Sequence, residues 1–174
     1  MFMVQENEAQ NAQLAKLYKK IELVYGKIPP QMKFLGSIDA GYLENFLDSV
    51  VRVLKHPKIN PDLFGFLRLF VAYKENYPYC KMFNTQLLLS KGYGQDELDA
   101  VVKDIRDVPF DGQHKHLAKK ALQAIYDSDA FTQDGLDALY AQGWSQRDVF
   151  DAIAHTGEIL KNGRILKAYA KKPS

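Results

Sequence analysis

Apolar residues recur at the spacing of an α-helix along almost the whole chain, and proline and glycine interrupt this pattern at short intervals. The first stripe has the spacing i, i+3, i+4, i+7 and consists of Leu14, Leu17, Tyr18 and Ile21, with Gly26 ending it. Apolar residues at this spacing fall on one face of a helix, whereas a half-buried strand alternates at every second residue. No stretch shows convincing strand alternation, so the sequence predicts an all-α fold.

The positions of proline and glycine also predict where the helices begin and end. Proline at residues 29–30 breaks the first helix, Pro57 follows the end of a later one, and Pro61 and Pro78 each open a new one. The pattern predicts helices over 14–25, a short segment through 32 and 35, 42–54, 61–71, 78–91, 95–106, 114–128, 132–142 and 146–169.

The segment that opens at Pro61 differs from the others because it is apolar on nearly every side. Its apolar residues are Leu63, Phe64, Phe66, Leu67, Leu69, Phe70 and Val71. A helix of this kind must be covered all round, either in the centre of one subunit's core or at an interface between subunits. The sequence leaves both interpretations open, and in an oligomer the Leu63–Val71 helix is the interface that we expect.

One turn pattern occurs twice in the chain. The segment Gly92-Tyr93-Gly94-Gln95-Asp96-Glu97-Leu98 resembles Gly143-Trp144-Ser145-Gln146-Arg147-Asp148-Val149, which lies fifty-one residues later. In each copy a glycine ends a helix, an aromatic residue follows, and an acid lies three positions beyond a small capping residue, most plainly in Ser145 and Asp148. The repetition predicts two similar helical hairpins. It is not a sign of a site, because such turns are common in helical bundles.

The second copy also resembles the start of a DNA-binding helix-turn-helix. That motif needs a short second helix followed by a recognition helix with polar and basic residues facing the groove. Here the apolar pattern continues through Thr156-Gly157, and the carboxylate of Glu158 would repel the phosphates of DNA. The nearby basic residues gather towards the C-terminus: Lys161, Arg164, Lys167, Lys171 and Lys172. Such a run is usually a solvated face, so DNA binding is only a remote alternative.

Length, charge and cysteine content narrow the class of protein. A chain of 174 residues can bury a core without crosslinks, and we expect one domain. The net charge of +2 is too small to indicate a nucleic-acid or membrane partner. A single cysteine excludes an internal disulfide and suits a reducing cytoplasm. We find no signal peptide at Met1-Phe2-Met3-Val4 and no apolar run of about 18 residues, so we expect a cytoplasmic protein.

The single cysteine is Cys80, which lies at what we predict to be the first turn of a helix opened by Pro78. Free backbone N–H groups, the helix dipole and nearby Lys81 would lower the pKa of the thiol there, whereas apolar burial would raise it. The sequence does not decide which effect is larger. Cys80 is therefore either a working thiol or a buried core residue, since free cysteines are often buried.

The residues around the thiol define a candidate pocket. Phe83, Asn84 and Leu87 follow Cys80 at i+3, i+4 and i+7, so these side chains share one helical face. Aromatic rings before and after the cysteine would make its surroundings partly dry. The predicted site is Cys80 as the catalytic residue, with a supporting set of Tyr77, Tyr79, Phe83 and Asn84.

This arrangement resembles the AhpD-like or carboxymuconolactone decarboxylase family, in particular its peroxidase-related branch. The resemblance rests on the aromatic-cysteine helix start, the apolar helix that follows, the two glycine turns and the late helix through Asn162-Gly163-Arg164-Ile165. It runs from about Tyr42 to Tyr169, which makes 42–169 the family core of a single AhpD-like domain and 1–38 an N-terminal helical extension. It implies an all-α bundle that assembles as a dimer, trimer or hexamer. It also implies peroxide reduction, or electron transfer to a partner peroxidase, through a Cys-x-x-Cys-x-x-x-His motif.

Only part of that motif is present. By the resemblance, Cys80 matches the second cysteine, Tyr77 stands in place of the first and Asn84 in place of the histidine. The preceding helix lacks the acid of the family's proton relay, because Arg68 is the only charged side chain between residues 63 and 70. A lone cysteine cannot form the internal disulfide of the dithiol mechanism, and neither tyrosine nor asparagine replaces the missing thiol or base.

Several functions remain open at this point. In the first, Cys80 is oxidised to a sulfenic acid by a peroxide and is reduced by an external thiol or a second subunit. In the second, the protein keeps the fold and binds a small molecule without catalysis, or serves only as a structural oligomer. The third is chemistry of the decarboxylase branch, which needs no cysteine but requires acid–base groups in the pocket.

Histidines are the obvious acid–base candidates, but their positions do not predict a shared site. His114 and His116 point about 200° apart on a helix, so they cannot enter one pocket together and are badly placed for one metal. His56 precedes Pro57 at a helix end, and His155 lies in the middle of a helix. The sequence shows no metal site, phosphate loop or Ser-His-Asp pattern, so we expect neither a metal nor a cofactor.

Overall fold

Nine α-helices make up the part of the chain that the computed structural model describes, which is Phe2 and residues 12–170. They are α1 (Ala12–Tyr25), α2 (Pro30–Ile38), α3 (Ala40–Leu54), α4 (Pro61–Lys74), α5 (Pro78–Ser90), α6 (Gln95–Lys103), α7 (Gly112–Tyr126), α8 (Gln133–Ala141) and α9 (Gln146–Tyr169). No strand occurs among these residues, which confirms the prediction of an all-α fold. Most of the N-terminal segment used to judge a signal peptide, and both Lys171 and Lys172, lie outside them.

Local chemistry explains why the helices begin and end where they do. Pro61 and Pro78 each occupy the first helical position, and the Asn60 side chain caps α4 by accepting from the N–H of Asp62. The helix predicted over 95–106 ends earlier, at Lys103. A separate 3₁₀ turn over Ile105–Asp107 follows it, because the Asp104 side chain accepts from the backbone N–H of Arg106 and caps a new turn.

The described residues form two units, and each has its own interior. The first unit contains Phe2 and residues 12–52 and 165–170, and the second contains residues 53–164. In the first unit, Leu17 and Ile21 of α1 are buried, as the first stripe predicts. The assignment of 1–38 as an extension and 42–169 as a family core stays a prediction.

Helix α4 is the centre of the second unit. It packs against α5, α6 and α7. Eight of its residues are buried: Leu63, Phe64, Gly65, Phe66, Leu67, Leu69, Val71 and Ala72. Their burial within one subunit agrees with the central-helix interpretation. The buried side chains of this helix are already covered by their own chain, so they are not available to a second subunit, and the interface of an oligomer stays a prediction.

The repeated turns have the same hydrogen bonds. Gly92 and Gly143 both have positive φ angles, of 94° and 89°, which favour glycine. The N–H of the following aromatic residue donates to the carbonyl five positions earlier, at 3.3 Å for Tyr93 and 3.2 Å for Trp144. The acid three positions beyond the cap accepts from the cap N–H in both copies, at 2.7 and 2.8 Å. The prediction of two similar helical hairpins is confirmed.

The last helix bears on the DNA-binding alternative. Helix α9 continues from Gln146 to Tyr169 without a break, so Thr156 and Gly157 lie inside it rather than at a turn. The Thr156 hydroxyl donates to the carbonyl of Ala152, one turn back on the same helix. The turn that a recognition helix would need here is therefore absent from α9. Across residues 12–170, the helices are too short or too polar to span a bilayer.

Candidate functional site

A tight turn between α4 and α5 places Cys80. Asn76 adopts a left-handed conformation with a φ of 54°, which asparagine tolerates better than most residues. The next N–H, of Tyr77, donates to the Ala72 carbonyl at 2.8 Å and so reverses the chain. Pro78 then starts α5, which makes Cys80 the third residue of the helix. Cys80 is partly buried and packs against the core of the second unit.

The sequence leaves open which effect on the pKa of the Cys80 thiol is larger, and in the structure the effect of burial is larger. Burial raises the pKa of the Cys80 thiol to about 11, and the positive charge of Arg68 opposes this rise without overcoming it. Lys81 is engaged elsewhere. Its ammonium donates to Asn76 Oδ1 at 2.7 Å and lies 4.9 Å from the centre of the Tyr73 ring. Cys80 is therefore a protonated thiol at neutral pH.

Arg68 of α4 is held beside the cysteine helix by two neutral side chains. Its Nε donates to Asn84 Oδ1 at 3.0 Å, and its Nη1 lies 3.2 Å from His155 Nε2. The Asn84 amide in turn donates from Nδ2 to the backbone carbonyl of Cys80 at 2.8 Å. Three helices, α4, α5 and α9, thus each contribute one side chain. Both of these acceptors are uncharged.

His155 accepts this hydrogen bond because it is neutral. Its side chain is buried, and burial, together with the charge of Arg68, holds the pKa of His155 well below its ordinary value. Since Nε2 faces a permanent donor, we assign the ring proton to Nδ1. The edge of the ring packs against Phe64, with 5.1 Å between ring centres. His155 therefore acts as an acceptor that orients Arg68, and it is badly suited to be a base.

Tyr77, which stands in place of the first cysteine, is part of the core. Its side chain is buried, and its hydroxyl donates to the Leu160 carbonyl at 3.3 Å. Burial and the nearby carboxylate of Glu75 raise the pKa of Tyr77, and the Arg164 side chain lowers it. Its ring lies against Gly163, where an added Cβ would come within 2.1 Å of a ring carbon. Tyr77 thus anchors α5 to α9.

The other predicted members of the site have more modest roles. Tyr79 and Phe83 are partly buried. Neither they nor Tyr77 line the cavity of about 490 Å³ that the structure contains in its first unit. Asn84 lies on the same helix as Cys80, as predicted, and it is buried. Its amide donates to the Cys80 carbonyl and accepts from Arg68.

The remaining histidines lie apart from one another, as expected from their positions in the sequence. His114 Nδ1 lies 2.9 Å from Asp111 Oδ1, and His116 Nδ1 lies 2.9 Å from the side-chain oxygen of Gln142. His56 lies elsewhere in the second unit, where its Nδ1 accepts from the N–H of Ile59 at 2.9 Å. Within the described part of the chain, no group of three or more potential ligands is arranged to hold a metal ion.

Sequence reasoning missed the roles of Arg68 and His155. The signal for Arg68 was present, because a lone charge in an otherwise apolar buried helix needs polar partners. No comparable signal identifies His155, because 87 positions separate it from the arginine that it contacts. Only the packing of α9 against α4 brings the two together.

The solved structures that share this architecture include two peroxidase-related proteins. An uncharacterised peroxidase-related protein from a Silicibacter species has a TM-score of 0.80 and 16% sequence identity, over 97% of this chain and 88% of that one. A protein from Ralstonia eutropha, described as an alkylhydroperoxidase AhpD core and an uncharacterised peroxidase-related protein, has a TM-score of 0.79 and 15% identity, over 99% and 91%. No family model and no curated protein matches the chain in sequence. The chain therefore has the AhpD-like helical fold of peroxidase-related proteins.

Proposed function

We propose that this protein is a thiol oxidoreductase of the AhpD-like family in which Cys80 is the only redox-active side chain. The observation that carries the proposal is the placement of Arg68, which two neutral partners hold within electrostatic reach of the Cys80 sulfur. A fixed cation beside a thiol favours the thiolate, which is the form that reacts with peroxides and disulfides. The fold shared with peroxidase-related proteins supports the same class of chemistry.

The reaction that we propose with a hydroperoxide balances with one cysteine. The Cys80 thiol loses its proton to water, and the sulfur attacks the terminal peroxide oxygen, so that an S–O bond forms and the O–O bond breaks. The departing alkoxide takes a proton and leaves as an alcohol. The sulfur, now a sulfenic acid, has lost two electrons and the peroxide has gained them.

An external thiol completes the cycle, because the chain contains no second cysteine. The thiol attacks the sulfenic sulfur, water leaves and a mixed disulfide forms. A second thiol then attacks this disulfide, which restores Cys80 and releases the external disulfide. A reducing cytoplasm would supply such a thiol, and a homo-oligomer is the assembly that we expect.

The raised pKa predicts that this chemistry is slow at neutral pH. A thiol with a pKa of about 11 is ionised in only about one molecule in ten thousand at pH 7. The rate should therefore rise about tenfold for each pH unit up to pH 10. Arg68 limits the rise in pKa, and Asn84 and His155 act through Arg68 as positioning residues.

The same raised pKa favours a second candidate, a non-catalytic member of the fold that binds a small molecule. In this alternative Cys80 is a core residue and the aromatic residues near it serve for packing. A rise in melting temperature with small aromatic acids, quinones or lipid peroxides, combined with no peroxide consumption, would support it.

The deciding experiment follows alkylation of Cys80 and consumption of hydrogen peroxide by the native protein between pH 7 and 10. We expect both rates to rise with pH, and peroxide consumption to disappear in Cys80→Ser with its helical content intact. Arg68→Lys keeps a charge and should retain more activity at pH 9 than Arg68→Met. Full turnover in Cys80→Ser, or a thiol that reacts only after unfolding, would refute the oxidoreductase proposal.

A further inference from the structure

A groove in the first unit has the size and lining of a small-molecule site. Its volume of about 490 Å³ falls within the range of about 300–1,000 Å³ that is usual for ligand pockets. Residues of α2 and α3, where the two helices meet, line it together with Ile165 and Tyr169 from the end of α9. It shares no lining residue with the Cys80 site, so the inference is independent of the proposed function.

The floor and one wall of the groove are apolar and well supported. Phe34 and Leu35 are buried beneath it. The Phe34 ring stacks on Phe2, with 4.7 Å between ring centres, and lies 5.2 Å from the ring of Tyr169. Tyr169 nevertheless keeps 44% of its surface exposed. The aromatic rings thus form a firm wall with one accessible face, which suits the apolar part of a ligand.

The lining of the groove also includes a fixed carboxylate. Asp39 lies in the single-residue connection between α2 and α3, and its Oδ1 accepts from the Tyr42 N–H at 2.7 Å. The neighbouring Gly41 leaves room for this carboxylate, because a Cβ added there would lie 3.1 Å from Oδ1. Asn45, one turn further along α3, adds an uncharged polar group. The carboxylate is therefore held in place rather than free to turn away.

The charge of the residues that line the groove indicates which class of ligand it binds. Among the described residues that line the groove, Asp39 is the only charged one, and none is a lysine, arginine or histidine. A carboxylate beside aromatic rings attracts an ammonium group through both ionic and cation–π interactions. We propose that this groove binds a primary amine with an apolar body, its ammonium against Asp39 and its apolar part against Phe34 and Tyr169.

Three probes that share a phenylethyl group and differ in charge test the proposal on the full chain: 2-phenylethylamine, 3-phenylpropanoate and 2-phenylethanol. Binding is followed by calorimetry and by shifts of the backbone amide resonances of Gly41 and Tyr42. We expect saturable binding of the amine with a Kd no weaker than about 10 mM, weaker binding of the alcohol, and none of the carboxylate.

Two variants separate the charge from the apolar contact. Asp39→Asn keeps an oxygen that can accept from the Tyr42 N–H, so α3 stays capped while the charge is removed. It should weaken the amine at least about fivefold and leave the alcohol unchanged. Tyr169→Leu should weaken the amine and the alcohol alike. The proposal is overturned if the carboxylate binds as well as the amine, if Asp39→Asn leaves the amine's affinity unchanged, or if the amine does not saturate.

Discussion

The ring of Tyr77 occupies the space into which a side chain at Gly163 would project. An added Cβ at Gly163 would lie 2.1, 2.3 and 2.7 Å from three atoms of the ring, which is closer than real carbon atoms approach. Tyr77 is the residue just before α5 and Gly163 lies in α9, and the Tyr77 hydroxyl also donates to the Leu160 carbonyl on α9. Glycine at 163 and tyrosine at 77 are therefore one structural unit.

Gly163→Ala should destabilise the protein by about 1–3 kcal/mol, although alanine ordinarily favours a helix over glycine. The added methyl group must displace the Tyr77 ring and its hydrogen bond to Leu160. The free energy of unfolding from urea titration measures the effect. Gly112→Ala is the matched control, because its Cβ would meet no atom within 4 Å, and it should change stability by less than about 0.5 kcal/mol. Equal stability of the two variants would contradict the packing argument.

The sign of this effect should reverse when the ring is removed. Tyr77→Cys leaves a cavity and should cost about 3–5 kcal/mol. In that background, Gly163→Ala fills part of the cavity and gains helix propensity, so it should stabilise by about 1 kcal/mol. A double-mutant cycle on the four proteins yields the coupling free energy, which should be at least about 2 kcal/mol. Additive effects would show that the two positions are not coupled.

His155 should make the protein less stable in mild acid. Burial lowers its pKa in the folded state, so the unfolded chain binds a proton first as the pH falls below the unfolded value of about 6.5. The contribution of His155 to the free energy of unfolding is fully present above that pH and decreases below it, by up to about 1.4 kcal/mol per pH unit. Urea titrations at pH 7.5, 6.5 and 5.5 measure it. His155→Gln keeps an acceptor for Arg68 but cannot titrate, and it should reduce the slope. An unchanged slope would exclude His155 as the source.

Tyr93 should contribute to the first repeated turn mainly through its ring. Its hydroxyl donates to Asp62 at 3.0 Å, and its ring packs edge-on against Phe66 with 4.9 Å between centres. Tyr93→Phe removes only the hydrogen bond and should cost about 1 kcal/mol. Tyr93→Ala also removes the packing and should cost about 3 kcal/mol or more. Thermal unfolding ranks the two variants, and equal losses would mean that the hydroxyl provides the anchor.

The sequence predicts the helices well because their causes are local. Apolar spacing marks the faces, proline at positions 61 and 78 marks two starts, and glycine at 92 and 143 marks two ends. Two helix ends differ from the prediction by three residues: α4 continues to Lys74 instead of ending at 71, and α6 ends at Lys103 because Asp104 caps a 3₁₀ turn instead of extending the helix. Side-chain competition of this kind depends on one hydrogen bond, which no periodicity reveals.

The candidate site is predicted less completely, because its chemistry depends on contacts between distant parts of the chain. The sequence identifies Cys80 and places Asn84 on its helix, but the pKa of the thiol depends on burial that only packing determines. Arg68 and His155 meet across 87 positions. The groove beside Asp39 could not be predicted from the sequence either, because it forms where α2, α3 and the end of α9 meet.

The contact between Tyr77 and Gly163 also restricts the order in which such a site can change over evolutionary time. A small residue at 77 is compatible with a side chain at 163, whereas tyrosine is not. A chain that acquires the tyrosine while a Cβ remains at 163 therefore loses stability. Once the ring is in place, every substitution at 163 has to displace it and costs stability until the tyrosine is lost. The glycine makes room for the tyrosine, and the tyrosine then makes any change of the glycine costly.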